Sequence, residues 1–196
     1  SYYGEKNYGH GTRRAHNAVP HLEKYHGTQT FLSEALTIEA KSRVTDATRA
    51  GKPFFLYMSH YAVHVPFAVD PRFYQKYRDD GLDHTEAMYA AMVEGMDKSL
   101  GDILANVKRH GLSDETIVLF MSDNGGIDRS DVTSNAPLGA GKGSKYEGGI
   151  RVPLIVRWPG QTAAGSACEV PVDCNDIFPT ILSAAGQDAD LASLDL

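Results

Sequence analysis

Cysteine is scarce in this chain, as are long apolar runs and any excess of positive charge. The only cysteines are Cys168 and Cys174, with five residues between them, a spacing that fits neither a zinc knuckle nor a C-x-x-C redox motif. They read as two ordinary thiols or as one local disulfide, and neither reading fixes a compartment. No apolar run approaches the roughly 20 residues of a membrane span. The N-terminus has no basic region followed by an apolar stretch, so no targeting segment is expected. A formal net charge of −6 leaves no basic face for nucleic acid. Hydrophobic residues make up 42% of the chain, which excludes the disordered class and supplies a core. At 196 residues the chain has room for one large domain or a domain and a half.

What is present is an alternation of periods. Residues 1–30 are rich in Tyr, His, Gly and Arg, show no sustained period and read as an irregular N-terminal segment. Leu32, Leu36, Ala40, Val44 and Ala47 then recur at helical spacing, with Gly51 placed to end the helix and Pro53 to prevent its continuation. Phe54–Met58 reads as a buried strand. Residues 59–82 read as a connecting loop with room for a short helix. Asp83 and Glu86 fit a capping box for a second long helix, whose apolar stripe is Met88, Met92, Met96, Leu100, Ile103, Leu104 and Val107, with Gly111 closing it. A buried strand over 116–121, a glycine-rich loop, a strand over 154–158 and a helix over 176–185 complete the order. Continuous apolar strands alternating with helices imply an α/β fold with a mostly parallel sheet sandwiched by helices. The organisation expected is an irregular segment over 1–30 and one partial α/β domain over 31–190.

The chemistry concentrates at the carboxyl ends of the strands, where ligands collect in open α/β sheets. The strand ending at Met121 runs into Ser122-Asp123-Asn124-Gly125-Gly126. Asp123 and Asn124 offer two oxygen donors of the kind a hard cation takes, although an Asx turn would use the same residues. The loop over 124–150 is long for a segment without secondary structure, which marks it as functional. In it, Gly139, Gly141 and Gly143 flank Lys142, leaving little bulk in the way of an oxyanion, while a solvated surface lysine is the bland alternative. The segment is no phosphate-binding P-loop, because Gly143 stands where that motif needs Ser or Thr and Ala136 where it needs Gly. His64, in Tyr61-Ala-Val-His64-Val-Pro66, falls just past the Phe54–Met58 strand, where it could bind an anion or protonate a leaving group. His60 is a candidate to support it. His10, His16, His21 and His26 show no ligand spacing. Glu147 and Arg151 read as a charge pair holding a buried turn.

In order along the chain, Pro53-Phe-Phe-Leu-Tyr-Met-Ser59, His64-Val-Pro66, Ser122-Asp-Asn-Gly-Gly126, Gly141-Lys-Gly-Ser144, Glu147-Gly-Gly-Ile-Arg-Val-Pro153 and Asp176-Ile-Phe-Pro-Thr180 resemble the sulfatase family. Leu22-Glu-Lys-Tyr-His-Gly27 resembles bacterial sulfatases less specifically. These enzymes are calcium-dependent sulfuric ester hydrolases of the alkaline-phosphatase-like superfamily. The resemblance implies that Asp123 and Asn124 are calcium ligands, that Lys142 contacts sulfate oxygens, and that His64 binds the ester and protonates the departing oxygen. It implies sulfated small molecules or glycans as substrates. Bacterial sulfatases of this kind are commonly exported to the periplasm or medium, while the compartment stays open. Charge and the lack of a long apolar run argue against a nucleic acid or membrane partner. The family nucleophile is a formylglycine hydrate made from a cysteine or serine.

The chain departs from that pattern at the nucleophile. It has no Cys/Ser-x-Pro/Ala-x-Arg motif, since Cys168-Glu-Val-Pro171 has its proline misplaced and no arginine after it. The paired aspartates and the Gly-Lys-Trp-His segment of the family are missing too. Calcium takes about six to eight oxygen ligands, of which Asp123 and Asn124 are two. The expectation is therefore an internal piece of a sulfatase, inert in isolation, with the formylglycine in a preceding part and an exposed sheet edge prone to association. The alternatives are a phosphodiesterase or phosphonate hydrolase of the same superfamily, and a non-catalytic anion-binding module.

Overall fold

The structure, a computed structural model, describes residues 19–128 and 132–187. Residues 1–18 of the expected irregular segment, with His10 and His16, lie outside the described residues. The chain divides into two compact units, Ser1–Pro159 and Gly160–Leu196.

In the first unit a single 3-10 turn, Glu23–Tyr25, precedes helix α1, Leu32–Arg49. Leu22, Tyr25, Leu32 and Ala35 form a small core beneath the turn. The Tyr25 hydroxyl donates to Glu39 Oε1 at 2.6 Å and so ties the turn to the helix. Glu39 also accepts from Lys24, and these two donors hold its carboxyl below the usual carboxylate range. Helix α1 ends at Ala50, with Gly51 in the left-handed region at φ 62°. Helix α2, Tyr74–Asp79, is the short helix for which the loop left room. Helix α3, His84–Arg109, begins with a complete capping box: Asp83 accepts from the N–H of Thr85 and Glu86 while Glu86 accepts from the N–H of Asp83.

Helices α1 and α3 pack through small residues. The buried face of α3 runs Ala87, Ala91, Gly95 and Ser99, with Met92, Ile103, Asn106 and Val107 alongside. The sequence stripe had placed Met88, Met96 and Leu100 in the core, yet these are half-buried and Leu104 is exposed. Close approach of two helix backbones demands small side chains at the seam, so the buried face is rotated toward them. A hydroxyl pair, Thr37 and Ser99 at 2.5 Å, bridges the two helices inside this seam. Asp70, fully buried, receives Arg72 through two bonds, Nε to Oδ1 at 2.9 Å and Nη2 to Oδ2 at 2.6 Å. Arg72 Nη2 also donates to Ser33 Oγ in α1 at 3.3 Å. Gly95 leaves room for this pair, because a Cβ there would stand 2.7 Å from Asp70 Oδ2. The loop that carries His64 is thereby knotted to both long helices.

The sheet holds the main differences from expectation. Strand β1, Val118–Met121, pairs antiparallel with strand β2, Leu154–Arg157, in the register Val118 to Arg157. This pair is the sheet among the described residues, and mostly parallel sheets do carry antiparallel pairs of this kind. Phe54–Met58, expected as a buried strand, has no strand partner among the described residues; Phe55 and Tyr57 are 72% and 80% exposed while Leu56 and Met58 are half-buried. The alternation is that of a strand with one packed face, and pairing is what it lacks. Strands β1 and β2 are likewise half-buried or exposed rather than buried, since no further strand covers them among the described residues. Between them lies helix α4, Glu147–Ile150.

In the second unit, Asp173 and Asp176 form a capping box around the 3-10 turn Cys174–Asp176, which leads into helix α5, Ile177–Ala184. Gly186 follows it with φ 73°. Cys168 and Cys174 are both free and exposed. No helix among the described residues is long and apolar enough to cross a membrane.

Candidate functional site

The chain leaves β1 at Met121 and turns at once. Ser122 Oγ donates to the carbonyl of Asn124 at 2.9 Å, closing the turn that presents Asp123 and Asn124. Asp123 is exposed and Asn124 half-buried. The next residue is locked in place: the Gly125 N–H donates to the carbonyl of Gly149 in α4 at 2.9 Å. A Cβ at Gly125 would overlap the Gly148 carbonyl, so glycine is required by close approach rather than by backbone angle.

The lysine loop is fastened to the same place. The Lys142 N–H donates to the carbonyl of Gly126, and the Gly148 N–H to the carbonyl of Gly139, each at 2.9 Å. Lys142 occupies the second position of a tight turn closed by Ser144 N–H to the Gly141 carbonyl at 3.0 Å. The third position, Gly143, has φ 85°, which a residue with a side chain adopts only under strain. The three glycines around Lys142 thus have separate causes. Gly143 makes the turn through its positive φ, Gly141 lies against the Gly126 carbonyl, and Gly139 has neither a positive φ nor a close neighbour. Lys142 itself is exposed at the turn's tip.

The structure therefore brings the loops of Asp123, Asn124 and Lys142 together through their backbones. It does not join His64 to them: among the described residues no hydrogen bond or ion pair links His64 with any of the three. His64 is exposed, and its Nδ1 stands 2.7 Å from the Val65 carbonyl, which makes Nδ1 the donor and leaves Nε2 as the acceptor of the neutral ring. His60, four residues earlier, has a buried Nδ1 without a hydrogen-bond partner among the described residues, and burial holds its pKa below the usual histidine value. Glu147 and Arg151 do pair, at 3.2 Å, but on the surface. What is buried at that turn is the pair of glycines Gly148 and Gly149.

One residue at the junction carried no signal in the sequence. Asn135 donates from Nδ2 to the carbonyls of Gly126, at 2.9 Å, and Ala140, at 3.1 Å. An asparagine before Ala136-Pro137 reads as loop chemistry, and only the folded loops reveal the two carbonyls that it meets.

By donor chemistry, one carboxylate and one amide oxygen suit calcium better than a soft metal. Among the described residues no group of three or more His, Cys, Asp and Glu side chains could hold a metal, so Asp123 and Asn124 would supply part of a shell only.

A sulfatase family model matches residues 3–187. A sulfatase of Formosa agariphila is 37% identical over 172 residues, covering 82% of this chain and 31% of the relative. The rat N-acetylgalactosamine-6-sulfatase is 35% identical over 176 residues, covering 86% of this chain and 31% of the relative. Among solved structures, Ps i-CgsB in complex with k-i-k-neocarrahexaose superposes with a TM-score of 0.76 at 33% identity, covering 83% of this chain and 36% of that one. The chain thus spans about a third of the length of the relatives it matches. The described elements are accordingly an incomplete α/β domain of the alkaline-phosphatase-like fold, and the chain belongs to the sulfatase family.

Proposed function

We propose that the protein carrying this chain is a calcium-dependent sulfatase that hydrolyses sulfate esters of aryl or carbohydrate compounds. The observation that carries this reading is the fastening of the lysine loop to the oxygen-bearing loop, Lys142 N–H to Gly126 O at 2.9 Å, within three residues of Asp123. Family membership supports the reaction class, and relatives such as N-acetylgalactosamine-6-sulfatase support a sugar sulfate as one substrate type.

In this reading Asp123 and Asn124 would hold the cation by their side-chain oxygens. Calcium, when bound, would offset the negative charge of the sulfate group and orient its oxygens. Lys142, a compact ammonium on a flexible stem, approaches the sulfate oxygens from the turn that exposes it. His64 donates from Nε2, when protonated, to the ester oxygen that departs. Residues 1–196 contain no Cys/Ser-x-Pro/Ala-x-Arg nucleophile motif, so this polypeptide alone would turn over no ester.

The test is hydrolysis of an aryl sulfate against the matching aryl phosphate by the protein carrying this chain. Preference for the sulfate is expected. Preference for the phosphate would transfer the site to the phosphodiesterase or phosphonate hydrolase reading, and binding of inorganic sulfate without either hydrolysis would leave an anion-binding module.

A further inference from the structure

We propose that Asn135 is a positioning residue that sets where Lys142 stands relative to Asp123 and Asn124, an inference that rests on the sulfatase reading of this site. Its amide has two N–H bonds, and each meets a carbonyl on a different loop: Gly126 at 2.9 Å and Ala140 at 3.1 Å. The Gly126 oxygen is the one that also accepts the Lys142 N–H, so both of its lone pairs are engaged at a single junction. The amide is wedged between two glycines. A Cβ on Gly126 would stand 2.8 Å from Asn135 Oδ1, and one on Gly141 would stand 2.7 Å from Asn135 Nδ2. The Asn135 carbonyl in turn accepts from the Leu138 N–H at 2.9 Å, which fixes the turn from which the side chain projects.

The chemistry selects asparagine. Aspartate has the same shape but no donors, and its charge would face two carbonyl oxygens. Alanine leaves the loops held by the backbone bonds alone. Both changes release the lysine loop while every group that would touch sulfate remains.

The test uses Asn135→Ala and Asn135→Asp in the protein carrying this chain, with two readouts. In the first, amide hydrogen exchange at Lys142 accelerates in both variants, more in Asn135→Asp, while exchange along α3 stays at the wild-type rate and so separates local release from general loosening. In the second, aryl sulfate turnover falls in kcat by on the order of 100-fold for Asn135→Asp, as expected for misplaced groups. KM changes far less. In a Lys142→Ala background the further loss shrinks to about threefold or less, because the lysine through which Asn135 acts is gone. Additive losses, or unchanged exchange at Lys142, overturn the proposal. A wild-type protein that hydrolyses no sulfate ester overturns the sulfatase reading instead, and the exchange measurement then decides on Asn135 by itself.

Discussion

The Lys142 N–H and the Gly126 carbonyl meet at 2.9 Å, which joins two loops that are 16 residues apart in sequence at the mouth of β1. Gly125 and Gly149 make the parallel bond on the other side, also at 2.9 Å. The loops of Asp123 and Lys142 are thus joined by a backbone clasp, with the Asn135 amide between Gly126 and Gly141. The consequences can be measured.

Gly148→Ala puts a Cβ into the Ala140 carbonyl, and backbone cannot move aside as a side-chain tip can. Overpacking at such a contact costs about 1–3 kcal/mol. Gly139→Ala is the control, since nothing lies within 4 Å of its Cβ. Urea unfolding should show a clearly lower midpoint for Gly148→Ala and a near wild-type midpoint for Gly139→Ala. Equal midpoints would mean that the clasp is not formed.

The Asp70–Arg72 pair makes a sharper energetic prediction. Asp70 is fully buried, so Arg72→Ala leaves an uncompensated interior charge, which typically costs about 3–5 kcal/mol. Arg72→Lys should recover only part of this, because an ammonium cannot reproduce the two-pronged contact. Chemical denaturation of the two variants measures both steps; a neutral Arg72→Ala would contradict the account of how the His64 loop is held.

His60 supplies a pH dependence. Burial lowers its folded-state pKa, so the folded protein resists a proton that the unfolded chain accepts near the ordinary histidine value of about 6.5. Stability should therefore fall as pH drops through that value toward the lower folded-state pKa. His60→Leu removes this component. The difference in unfolding free energy between wild type and His60→Leu should shift against wild type between pH 7.5 and pH 5.5; a constant difference would show that the ring is not desolvated.

Phe55 and Tyr57 predict association. Their exposed side alternates with a packed one on a segment that has no strand partner among the described residues. Such edges pair with other chains unless charged or covered. Residues 1–196 by themselves should self-associate in sedimentation at micromolar concentration, and Phe55→Lys with Tyr57→Lys should reduce it. A monomer insensitive to the pair of changes would dismiss the edge as an interface.

Helices were legible wherever the signal is local. The capping box of Asp83 and Glu86, and the glycines at 51 and 111, fix ends through bonds a few residues apart. The buried face of α3 was less legible, because large apolar residues announce themselves and a seam of Ala87, Ala91, Gly95 and Ser99 does not. The pairing of Phe54–Met58 was not legible, since a strand's fate depends on a neighbour elsewhere in the chain. At the site, Asp123, Asn124 and Lys142 stood out by residue type and placement. Asn135 did not, because its meaning lies in the carbonyls of Gly126 and Ala140, nine and five residues away.

The central claim is that Asp123 and Lys142 serve one sulfate group, and aryl sulfate turnover by Asp123→Ala and Lys142→Ala in the protein carrying this chain tests it most directly. Loss of a charge-stabilising group of this kind costs about 100- to 1,000-fold in kcat. The account predicts a loss of that order in each variant, with calcium restoring nothing in Asp123→Ala at concentrations that saturate the wild type. Wild-type turnover in both variants would contradict it.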